Sequence, residues 1–83
     1  MDFTLIKHAE DALRERGIAL QWITDTLASP GRTEPDRADT ELTRALRAIA
    51  EFDNRVLRVI YNQGRDPVHV ITAYFDRGMK GRL

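Results

Sequence analysis

A set of basic and tyrosine side chains in the C-terminal part of the chain carries the chemistry that this sequence offers most clearly. Its members are Arg55, Arg58, Arg77, Lys80 and Arg82, with Tyr61 and Tyr74 nearby. Arginine suits phosphate recognition because its planar guanidinium donates two parallel hydrogen bonds and stays protonated. Tyrosine adds a hydroxyl and a ring face on which an unpaired base can stack. The set therefore indicates binding to RNA.

The same residue types fit a ribonuclease that works without a metal. Such an enzyme needs a base for the 2′-hydroxyl, cations for the charge on the phosphorus centre and an acid for the leaving oxygen. Two interpretations of Arg58 stay open, because it lies between Val56 and Ile60 in an apolar run. It serves a ligand, or it is structural, with an ion pair to Glu51 as the favoured structural alternative.

Other kinds of site find little support in the sequence. There is no glycine-rich phosphate loop, no serine elbow and no His-Glu-x-x-His pattern. His8 and His69 lack companion ligands at a useful spacing, so we expect no metal and no cofactor. The absence of cysteine, of a long apolar run and of a basic leader predicts a cytoplasmic protein that is not bound to a membrane.

Charge is distributed unevenly along the 83 residues, although the net charge is zero. From Arg55 onward there are 6 basic and 2 acidic residues, a sum of +4, and the preceding part has 7 and 11, a sum of −4. The C-terminal part could therefore face a polyanion, or the two parts could neutralise each other within one fold. The length predicts one domain spanning residues 1–83.

The elements that must position these side chains centre on residues 55–75. Two runs rich in β-branched and aromatic residues flank a break with Gly64 and Pro67, which predicts an antiparallel hairpin. In the return strand, simple alternation predicts one face with Val68, Val70, Thr72 and Tyr74, and the other with His69, Ile71, Ala73 and Phe75.

The first third of the chain shows helical periodicity. It predicts helices over His8–Arg16 and Ile18–Leu27, with Gly17 between them. Phe3–Ile6 is a first strand or a tail, and Arg32–Glu41 is predicted to be an exposed, mostly acidic loop. Thr43–Phe52 has helical propensity, but its alternation favours a third strand. The predicted fold is α+β, with two N-terminal helices on an antiparallel sheet of three to four strands.

Several short segments spread along the chain form a pattern together: His8-Ala9, Glu15–Ile18, Thr26-Leu27 with Pro30, Arg55–Tyr61 and Val70–Tyr74. In these segments the chain resembles a family of small bacterial proteins of unknown function that is related to the BrnT and RelE/ParE toxins. The resemblance implies a RelE-like fold and an mRNA-cleaving or translation-blocking toxin with an antitoxin partner and RNA or the ribosome as target. RelE-like toxins carry an Arg-x-x-Tyr pattern in one strand, which Arg58 and Tyr61 match. They also carry a basic residue after their last strand, which Arg77 matches.

On that resemblance, the candidate catalytic residues are Arg58, Arg77, Tyr61 and Tyr74, and the candidate RNA-binding residues are Arg55, Lys80 and Arg82. The chain departs from the RelE pattern at Ile49 and Glu51, which stand in the region where such enzymes carry lysines. A second hypothesis is therefore a non-catalytic module that keeps the toxin scaffold and binds protein.

Overall fold

The computed structural model describes residues 2–83, which form two helices and a five-stranded mixed sheet. In chain order the elements are β1 (Phe3–Leu5), α1 (Lys7–Arg16), α2 (Leu20–Ala28), β2 (Arg32–Pro35), β3 (Thr43–Ile49), β4 (Arg55–Asn62) and β5 (Val68–Asp76). Short 3₁₀ turns follow β3 at Ala50–Phe52 and β5 at Arg77–Met79. The strand order is β1-β5-β4-β3-β2, with β1 parallel to β5 and the other pairs antiparallel.

The sheet corrects the predicted fold class. The expectation of three to four antiparallel strands is wrong, because β1 adds a parallel strand and β2 lies inside the segment predicted to be a loop. Both strands are too short, at 3 and 4 residues, for alternation to be visible. The polar composition of β2 fits its place at the sheet edge, where charged residues and proline are common.

Both helices pack on one face of the sheet and close the core. Gly17 ends α1 in the left-handed conformation, with φ of 64°, so the chain turns directly towards α2. The core between the layers includes Ala9, Ile23 and Leu57, each fully buried. Neither helix of residues 2–83 has the length and apolar character needed to cross a membrane.

A β-bulge in β5 changes which side chains share a face. Tyr61 pairs with Val70 and Ile60 with Thr72, so Ile71 is an extra residue in the ladder. Val70 therefore lies on the helix face with Ala73, whereas Thr72 lies on the opposite face, which we call the outer face. The prediction of uninterrupted alternation along this strand is wrong for that reason.

The third predicted strand is confirmed as far as Ile49, and the remaining predicted residues form the 3₁₀ turn. The predicted loop does not expose all its acidic residues either. Asp36 is 7% exposed and accepts a hydrogen bond from Arg44 Nε at 2.9 Å. One of the four acidic residues of this segment, Asp36, is therefore neutralised inside the fold, and Asp39 and Glu41 are exposed as expected.

Candidate functional site

An open pocket of about 560 Å³ lies where β5 ends. Its lining, which defines what we call the cationic pocket, consists of Arg16, Arg55, Arg77, Lys80, Asp53, Tyr74, Phe75 and Asp76. Among residues 2–83, strand β1 pairs only with residues 68–70 of β5, so the later part of β5 has no strand neighbour there on that side. The pocket therefore opens beside an edge of the sheet.

Three arginines reach the pocket from three different elements. Arg16 is the last residue of α1, and it donates a hydrogen bond to the backbone oxygen of Ala73 at 2.7 Å. Arg55 is the first residue of β4, and its guanidinium carbon lies 4.7 Å from the centroid of the Phe52 ring. Arg77 follows β5 directly and opens the second 3₁₀ turn. Segments far apart in sequence thus place their cations together.

The two pocket carboxylates are both already paired. Asp53 accepts a hydrogen bond from Lys80 Nζ at 2.8 Å, and this bond lowers the pKa of the Asp53 carboxyl. Asp76 forms an ion pair with Arg58. In contrast, within residues 2–83 no carboxylate oxygen lies within 4.0 Å of a guanidinium nitrogen of the three pocket arginines. The pocket consequently presents uncompensated positive charge.

A cluster of aromatic rings supports one wall of the pocket. Phe75 lines the pocket, and its ring centroid lies 5.0 Å from that of Phe52 and 5.9 Å from that of Trp22. Trp22 also stacks on Phe52 at 5.3 Å. Because Arg55 lies over Phe52, the cluster holds this cation by a cation–π contact as well as by the backbone of β4.

Arg58 lies on the outer face and not among the residues that line the pocket. Its side chain is 12% exposed, its Nη2 pairs with Asp76, and its Nη1 is 3.5 Å from the hydroxyl of Tyr74. The expected ion pair with Glu51 is wrong, since Glu51 is exposed in the 3₁₀ turn and Arg58 pairs with Asp76. Arg58 therefore lies outside the pocket and contacts two of its lining residues, Tyr74 and Asp76, on the outer face of the sheet.

Two other candidates also lie apart from the pocket. Tyr61 is 7% exposed in the core, where burial raises the pKa of its hydroxyl and disfavours its ionisation. Arg82 is exposed in the C-terminal segment. The structure thus brings together Arg55, Tyr74, Arg77 and Lys80 from the predicted set.

Arg16 is the pocket arginine that is absent from the predicted set, and Asp53, Phe75 and Asp76 also line the pocket without having been predicted. Helical periodicity places Arg16 on the same stripe as Ala9, Ala12 and Leu13, which are buried. Arg16 could have been recognised from the sequence, because it is a charged residue at the end of a buried stripe and next to Gly17. The side chain of such a residue has to leave the core at the edge of the sheet. In residues 2–83 no group of three or more potential metal ligands comes together.

Comparison with known proteins places the chain in a family. No curated protein and no solved structure matches it. Residues 5–75 match the family model described as a domain of unknown function, DUF4258. The matched span contains both helices and most of the sheet, including Arg16 and Arg55 of the cationic pocket. The chain therefore belongs to the DUF4258 family.

Proposed function

We propose that this protein binds single-stranded RNA in the cationic pocket and acts as a toxin of the RelE/BrnT kind that interferes with translation. The observation that carries the proposal is the convergence of Arg16, Arg55 and Arg77 without carboxylate partners in the described chain. Clustered cations on one surface are the electrostatic footprint of a phosphate backbone. Tyr74 in the same pocket offers a ring for an unpaired base.

Cleavage of the bound RNA is the stronger form of the proposal. The 2′-hydroxyl oxygen would bond to the adjacent phosphorus as the bond from phosphorus to the 5′-oxygen breaks. The pocket arginines would stabilise the charge on the phosphoryl oxygens, and the Tyr74 hydroxyl is the candidate donor of a proton to the leaving oxygen. A water molecule would take the proton of the 2′-hydroxyl. Neither histidine belongs to the described pocket lining, so charge stabilisation has more support here than proton transfer.

The first test is the salt dependence of RNA binding. A fluorescent single strand of about 12 nucleotides is titrated with the protein between about 50 and 200 mM salt, and anisotropy gives the affinity. Three phosphate contacts predict a slope of log K against log salt of about −2. Arg55→Ala and Arg77→Ala should each weaken binding and make the slope shallower by about 0.7.

Arg82→Ala is the matched control, since Arg82 is exposed and not part of the pocket lining. It should change neither affinity nor slope appreciably. Equal effects of Arg77→Ala and Arg82→Ala would contradict binding in the pocket, as would the absence of RNA binding by the parent protein. Induced expression in a bacterial host then tests toxicity, with growth and transcript integrity as readouts.

A non-catalytic module that binds an acidic protein is the second candidate. The position of Arg58 favours it, because the arginine implied to be catalytic by the resemblance is mostly buried and paired with Asp76. Such a module would leave growth and transcripts unaffected on induction. Its pocket variants would lose binding to the acidic protein instead of to RNA.

A further inference from the structure

We infer that Arg58 is a positioning residue, which prepares the cationic pocket for RNA without contacting the RNA itself. The effect on binding rests on the function proposed above. The effect on pocket structure does not, so the two can fail separately. Arg58 lies on the outer face of the central strand β4, and its guanidinium contacts the pocket residues Tyr74 and Asp76.

Asp76 connects Arg58 to the turn that carries Arg77. One carboxylate oxygen, Oδ2, pairs with Arg58, and the other, Oδ1, accepts a hydrogen bond from the backbone nitrogen of Gly78 at 3.0 Å. This second bond caps the 3₁₀ turn at Arg77–Met79. Because a single carboxylate makes both contacts, fixing its orientation from β4 also fixes the start of the turn. Arg58 thereby influences where Arg77 enters the pocket.

Tyr74 is held by the same guanidinium. The guanidinium carbon lies 5.8 Å from the centroid of the tyrosine ring, and Nη1 is 3.5 Å from its hydroxyl oxygen. Tyr74 and Arg58 are also direct cross-strand partners in the β4–β5 ladder. The ring that lines the pocket is therefore supported from β4, on the outer face of the sheet.

Charge gives Arg58 a second effect on the pocket. Asp76 lines the pocket, and its side chain is 21% exposed. Without Arg58 its negative charge would be uncompensated close to the place where a phosphate would bind. Arg58 itself has little surface available to a ligand, and its Nε is buried without a hydrogen-bond partner in the described residues. By neutralising Asp76 from outside the pocket, Arg58 can strengthen binding of the ligand without contacting it.

The test is a cycle of Arg58→Gln, Asp76→Asn and the double variant, with the same RNA probe. Arg58→Gln should weaken RNA binding about fivefold, the size expected for one uncompensated charge near a phosphate. The double variant has no charge at either position, so the pair is neutral again. The side-chain oxygen of the asparagine at position 76 can still accept a hydrogen bond from the Gly78 amide. The double variant should therefore return to within about twofold of the parent affinity, with the parent salt slope.

Direct contact between Arg58 and RNA predicts a different pattern. Both Arg58→Gln and the double variant would then bind weakly, and both salt slopes would become shallower by about 0.7. That result would overturn the inference, as would unchanged binding by Arg58→Gln.

Hydrogen exchange of the Gly78 amide supplies a readout that needs no RNA. Arg58→Gln should increase the exchange rate of this amide and the double variant should largely reverse the increase, whereas the amide of Gly64, capped by Asn62 far along the hairpin, should not respond. Unchanged exchange at Gly78 in Arg58→Gln would overturn the positioning role. If the parent protein does not bind RNA but Arg58→Gln still increases the exchange rate at Gly78 and the double variant reverses it, only the proposed function is contradicted and the positioning role stands.

Discussion

Replacing Leu57 by alanine tests the strand register that places the site residues. Leu57 is fully buried in the core, so the change removes three carbon atoms from a packed environment. At about 0.8 kcal/mol for each carbon, the lost transfer free energy is about 2.4 kcal/mol. A residual cavity of about 40 Å³ would add about 1 kcal/mol, which gives a loss of about 3 kcal/mol. At about 4–8 °C per kcal/mol, the melting temperature should fall by about 12–24 °C.

Thermal and urea unfolding, followed by circular dichroism, measure this loss directly. The control is Leu20→Ala on α2, because Leu20 is 55% exposed and its truncation should cost less than about 0.5 kcal/mol. A domain of this size has a total stability of about 4–12 kcal/mol, so the Leu57 variant should still be measurable in most of that range. Equal losses in the two variants would mean that Leu57 does not face the core and that the register is wrong.

Further predictions concern a carboxylate, a turn and the aromatic cluster. The hydrogen bond from Arg44 lowers the pKa of Asp36 below its ordinary value of 3.8, so its contribution to stability is complete above that value and is lost as pH falls through the lowered pKa. Melting temperatures between about pH 6 and 2 should therefore fall less steeply with acid in Asp36→Asn. Gly17→Ala should cost about 1 kcal/mol in urea unfolding because φ is 64°, and Gly17→Asn should cost less. Phe52→Leu should lose about 1 kcal/mol in the same assay, with the stacking on Trp22 and the cation–π contact gone.

Much of the central fold could be predicted from local pattern. Residues 55–75 form the expected antiparallel hairpin, and Gly17 separates two helices whose bounds differ from the predicted ones by two residues or fewer. The hairpin was recognisable because each strand is 8 or 9 residues long and rich in branched side chains. Strand β2 could not be recognised from the sequence, because its polar residues are typical of a loop and its pairing with β3 is formed only in the folded sheet.

The site was predictable only in part, for a similar physical reason. The sequence could mark Arg55, Arg77 and Lys80 as cations near the end of the hairpin, and the pocket contains them. It could not distinguish them from Arg58, because that distinction depends on Asp76 being within reach across the sheet. Arg16 was missed because α1 brings it to β5 across 57 residues of sequence.

The extra residue in β5 has a consequence for how this gene can change in length. Ile71 is unmatched in the ladder, so loss of its codon could be absorbed by closing the bulge. Tyr74 and Asp76 would then stay on the outer face, opposite the same partners. Strand β4 has no unmatched residue in its pairing with β3. A one-codon deletion there would move all side chains on one side of the deletion to the opposite face of the sheet. We therefore expect natural length variation to be tolerated in β5 and selected against in β4.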